Sequence, residues 1–134
     1  MKRTMGLCVA ALGMTLAFGT GCKKGGAEGG AGGAEPSAAA KEEATNIFKS
    51  RCASCHGATG KGDGAASAGL NPKPRNFSDA AWQKGATDEH LENIIVKGGA
   101  AVGKSAAMPS NPDLEAKVEV VKALRMHIRT LAGK

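Results

Sequence analysis

The chain has 134 residues, room for one domain plus accessory segments, and 18 Lys and Arg against 12 Asp and Glu give it a formal charge of +6. That excess is mild, with no basic block and only 3% aromatic residues to interleave with one, so the composition argues against a nucleic-acid partner. Of four cysteines two fall within the first 22 residues, which leaves a single pair for the rest and excludes a disulfide framework.

The start, MKRTMGLCVAALGMTLAFGTGC, has a basic tip at Lys2 and Arg3, an apolar run from Gly6 to Phe18 and small residues after it. The run is shorter than the roughly 20 residues a membrane-spanning helix needs, and the three-part pattern reads as a bacterial export signal over residues 1–21. Its end, GTGC, resembles a bacterial lipoprotein signal, with Gly19 standing where a leucine-like residue is usual. The resemblance implies a lipid on Cys22, which would become the mature N-terminus and anchor the protein to a membrane. Residues 22–40 hold no large apolar side chain and are expected to form a flexible tether. The sixteen residues from Gly25 to Ala40 would span about 20–24 Å on average.

The folded domain is expected over residues 41–134, where 14 Lys and Arg face 10 Asp and Glu. KEEATNIFKSRCA places Ala44, Ile47, Phe48 and Arg51 at helical spacing, with Glu42 and Glu43 in the first turn. SDAAWQKG reads as a short helix with Ser78 as N-cap, and TDEHLENIIVKGG as a longer one capped by Thr87 and ended at Gly98 or Gly99. The last helix is expected to open at Asn111 and Pro112 and to carry Leu114, Val118, Val121, Leu124, Ile128 and Leu131 down one face. No stretch alternates as a strand would, so the fold class is all-α. The loop from Gly57 to Asn76 has little regular structure, which is unusual unless it wraps something. The domain has only three large aromatics, Phe48, Phe77 and Trp82, so its apolar interior is thin. A large apolar cofactor would complete it.

RCASCHG, at residues 51–57, suggests what that cofactor is. Two thiols at C-x-x-C spacing reach two neighbouring vinyl groups on one edge of a macrocycle, and the following histidine reaches the iron at its centre. A zinc site would need a second pair of ligands, and the other histidines, His90 and His127, stand alone. A redox dithiol would want a βαβ context. The haem reading is favoured over both, with Cys52, Cys55 and His56 holding one covalently bound haem c.

Together NIFKSRCASCHGATGKGDG, LNPKPRNFSD and GGAAVGKSAAMPS resemble successive segments of a small bacterial class I cytochrome c, over most of residues 44–132. The resemblance implies a small helical bundle wrapped around one haem, with crossed terminal helices and Phe48 packed on the last of them. It implies Met108 as the sixth iron ligand, against Met126 and His127, which lie within the last helix. It also implies that a proline-containing loop, with Pro72 and Pro74, supplies a carbonyl to the ligand histidine. Arg75 and Trp82 are candidates to meet the haem propionates, each with an ordinary surface or core role as its rival.

Both axial positions filled by protein would leave one-electron transfer as the job, and not an enzyme's. The expected protein is a carrier on the periplasmic side of a bacterial membrane. It would link a quinol-oxidising complex to an oxidase, reductase or dehydrogenase, with Lys61, Lys73 and Lys104 facing an acidic partner. The alternative is a haem peroxidase or sensor with an open distal site, for which the sequence places no histidine.

Overall fold

The structure, a computed structural model, describes residues 34–134. The segments expected to form the export signal, the Cys22 anchor and the tether up to Gly33 lie outside the described residues. Helix α1 spans Ala38–Ile47 and so begins inside the segment expected to be tether. Ser37 is the reason: its side-chain oxygen accepts a hydrogen bond from the Ala40 N–H at 3.2 Å and caps the helix. Glu42 and Glu43 consequently sit in the second turn, where Glu43 pairs with Lys117 at 2.7 Å. Ala40, Ala44 and Ile47, spaced four and three apart, are the buried face.

The chain then widens through a π-helical turn, Phe48–Cys52, and returns to a single α-turn, α2, at Ala53–His56. Turns of this kind are frequent at functional sites. Gly57 ends α2 at φ 80°, and a Cβ there would sit 2.0 Å from Asp63 Oδ1, so only glycine fits the exit from the motif. From Gly57 to Asn76 the sole regular element is a short 3-10 turn at Ala65–Ser67, and only the end of the segment, from Leu70 to Arg75, lines the cavity described below.

Helix α3, Ala80–Gly85, is capped by Asp79, whose Oδ1 accepts from the N–H groups of Ala81 and Trp82. The expected cap, Ser78, is instead drawn into a turn by Asn76 Oδ1, which accepts from its N–H and its hydroxyl. Helix α4, Asp88–Ala101, is capped by Thr87 as its sequence suggests, with Asp88 and Glu89 in the first turn. It breaks at Gly98, yet helical hydrogen bonding resumes beyond it.

The last helix, α5, is Val118–Thr130 and starts later than expected. Pro112–Leu114 form only a 3-10 turn, because the Asn111 amide donates to the Ile95 carbonyl at 2.7 Å instead of capping a helix. Val118 therefore falls outside the apolar face and is 71% exposed, while Val120 joins Val121, Leu124 and Ile128 in the interior. α1 packs on α5, and the Phe48 ring lies 4.5 Å from that of His127, as the cytochrome resemblance implied for Phe48. Leu91, Leu114 and Leu124 are the most deeply buried large side chains, each contributing about 1.5–3 kcal/mol on burial. Among the described residues there is no strand, and no helix is long and apolar enough to cross a membrane.

Candidate functional site

A cavity of about 810 Å³ opens between the α2 turn, the 70–77 loop, α3, the inner face of α4 and the segment around Met108. Cofactor and ligand sites run to roughly 300–1,000 Å³. Its wall is mainly apolar, with Leu70, Phe77, Trp82, Leu91, Ile94 and Ile95 prominent, and it is large beside the helices that enclose it. The thin core inferred from composition thus has its counterpart in space.

Cys52, Cys55, His56 and Met108, separated by up to 56 positions in the chain, all line this one cavity. Both thiols are free and half-buried, about one helical turn apart on the same wall. Burial pushes the Cys52 thiol up, against the smaller pull of the Arg51 charge, so it stays protonated at neutral pH. Burial also holds His56 below the usual histidine value, with a backbone hydrogen bond acting the other way. The neutral imidazole that results is the form that ligates metals.

That hydrogen bond orients the ring. His56 Nδ1 donates to the Arg75 carbonyl at 3.1 Å, which leaves Nε2 as the nitrogen with a free lone pair. The acceptor is therefore neither Pro72 nor Pro74, although both prolines line the cavity. The histidine backbone is fixed as well: its carbonyl accepts from the Gly62 N–H at 2.7 Å.

Met108 is held from α4. Its carbonyl accepts from the Gly99 N–H at 3.0 Å, and its own N–H donates to Ser105 at 3.2 Å. Just beyond it, the Asn111 N–H donates to the Val96 carbonyl at 2.8 Å. Gly98, at φ 76° and ψ 174°, turns the backbone so that this segment can lie against it.

Several other candidates resolve individually. Met126 and His127 lie on α5 away from the cavity, and His127 packs on Phe48. Arg75 and Trp82 both reach the wall, with the Arg75 guanidinium 5.6 Å from the Trp82 ring centroid. Lys73 and Lys104 stand at the cavity and Lys61 does not; Lys73 donates to the carbonyls of Ser67 and Ala68, both at 2.9 Å. The sequence reading missed His90, which reaches the cavity from the first turns of α4. Its spacing from Leu91 and Ile94 on α4 was the available signal.

The residues present suit a haem: two thiols on one wall, a neutral imidazole with an oriented lone pair, a soft thioether and an apolar enclosure. No curated protein matches the chain significantly. Among solved structures, a c-type cytochrome, KustC0563, is 25% identical, with the match covering 66% of this chain and 96% of that one at a TM-score of 0.49. The cytochrome c family model matches residues 41–132. The chain belongs to the cytochrome c family, whose members carry haem c attached covalently through cysteines.

Proposed function

We propose that this protein is a monohaem one-electron carrier, tethered on the periplasmic side of a bacterial membrane and working within a respiratory chain. In this reading Cys52 and Cys55 would hold the haem through two thioether links, and His56 and Met108 would ligate its iron. Haem c, when bound, supplies an iron that exchanges a single electron between its ferric and ferrous forms. The observation that carries the reading is the convergence of these four side chains on one apolar cavity. His56 presents Nε2 because Nδ1 is engaged by Arg75, and the Met108 sulfur favours the reduced metal as a soft ligand. Were both to bind the iron, no coordination site would be left for a substrate. Cys22 would carry the lipid, and exposed lysines near the cavity, Lys73 and Lys104, would meet an acidic redox partner.

His90 favours a second reading, an open distal site serving a peroxidase or a sensor, since it lines the same cavity. Met108→Ala distinguishes the two. A carrier ligated by Met108 loses its weak methionine-to-iron charge-transfer band on this substitution, and its potential falls. Persistence of the band would assign the ligand elsewhere. A high-spin ferric wild-type protein that binds carbon monoxide rapidly would favour the open site.

A further inference from the structure

Gln83 is, with Ser67, one of two buried polar side chains among the described residues, and it is 9% exposed. Its amide is fully used. Nε2 donates to the Phe77 carbonyl at 2.7 Å and to the Ile128 carbonyl at 3.0 Å, and Oε1 accepts from Arg129 Nη1 at 2.9 Å. A buried amide that bridges three segments in this way is costly to leave half-satisfied, so each partner is held closely.

Phe77 is the partner that matters for the site. It is itself buried, and its N–H donates to the Gly60 carbonyl at 2.7 Å, so its backbone is pinned on both sides. Its ring lies against the His56 imidazole, with centroids 4.5 Å apart and planes inclined by 15°. Two residues earlier in the same segment, the Arg75 carbonyl accepts from His56 Nδ1. One short stretch, 75–77, therefore touches the imidazole twice, once at its edge and once on its face. Two contacts of that kind fix rotation of the ring, which a single hydrogen bond does not.

We infer that Gln83 is a positioning residue for the His56 ligand, acting through Phe77 and the 75–77 segment it clamps. This rests on the reading of His56 as an iron ligand. The clamp reaches the imidazole from α3 and α5, so packing of the last helix is transmitted to the ligand plane.

The test uses the full holoprotein and NMR. Hyperfine-shifted His56 protons in the ferric wild-type protein check the ligand reading first and separately. In the reduced protein the observable is exchange of the His56 Nδ1 proton. Gln83→Glu keeps an oxygen for Arg129 but loses both donors, and Gln83→Leu loses everything. Both should speed Nδ1–H exchange by about tenfold, the factor equivalent to one lost hydrogen bond. Phe77→Leu should leave the Arg75 bond in place and rearrange the hyperfine pattern. Leu114→Ala, a buried change on the 3-10 turn before α5 and off the cavity wall, controls for general loosening. Unchanged Nδ1–H exchange in Gln83→Glu would overturn the inference. So would an acceleration no greater than that in Leu114→Ala at matched thermal stability.

Discussion

Gly98→Ala is the sharpest perturbation of the Met108 side of the site. Gly98 has φ 76° and ψ 174°, a combination that L-residues adopt at a cost of about 1–3 kcal/mol. A Cβ there would lie 2.7 Å from the Ser110 nitrogen and 2.9 Å from both the Met108 oxygen and the Pro109 carbonyl carbon. All three are backbone atoms, so no side chain can swing aside, and such overpacking costs about another 1–3 kcal/mol. The combined penalty of about 2–6 kcal/mol is a large share of the 5–15 kcal/mol that stabilises a typical domain. Displacing one partner relieves it. The α4 side carries buried Leu91 and Ile95, whereas Ser110 and Pro109 are exposed, so the Met108 segment should move. The expected product keeps its covalent cofactor, weakens or loses the methionine-to-iron band, and shows a lower potential. Gly133→Ala, also at positive φ but with nothing within 4 Å of its Cβ, should cost stability from strain alone and leave the band intact. A Gly98→Ala protein with the wild-type band and potential would refute the idea that Gly98 sets where Met108 lies.

Two further outcomes are expected. Full-length protein should partition into the membrane fraction of a bacterial host, and Cys22→Ser should release it; wild-type protein found wholly in the soluble fraction would remove the anchor. Burial, then the charges of Lys134 and Lys49, hold His127 below the usual histidine value of about 6.5. Its folded pKa is thus depressed, so its contribution to stability is fully present above the unfolded value and is lost as pH falls from there through the folded pKa. The thermal midpoint of wild-type holoprotein should therefore drop more between pH 7 and 5 than that of His127→Gln, by calorimetry, and equal drops would contradict the assignment.

What the sequence made legible is what short spacing encodes. C-x-x-C-H needs only one helical turn to put its three side chains on a common wall, and Thr87 sits beside the helix it caps. Met108 came from resemblance to a family pattern, since nothing local to AAMPS specifies a cavity. Ser37 opening α1 and Asp79 displacing Ser78 as a cap are local misses; the others depend on partners distant in the chain. Asn111 and Pro112 look like a helix start, but Asn111 is recruited by Ile95 and Val96, and α5 begins at Val118. The acceptor for His56 is a backbone carbonyl, which any residue carries, so Pro74 and Arg75 were indistinguishable until the 75–77 segment was in place. Gln83 reads as an ordinary polar helix residue, and only the approach of Ile128 and Arg129 buries it. His90 appeared isolated because no other candidate ligand lies near it in the sequence, and the Cys52, Cys55, His56 and Met108 side chains that share its cavity come from other segments.

The most direct test of the central claim is a spectroelectrochemical titration of the purified holoprotein. A reversible one-electron transition between low-spin forms, with the methionine-to-iron band present in the ferric state and absent from Met108→Ala, is the predicted result. A high-spin ferric spectrum, or a transition unaltered by Met108→Ala, would contradict a carrier ligated by His56 and Met108.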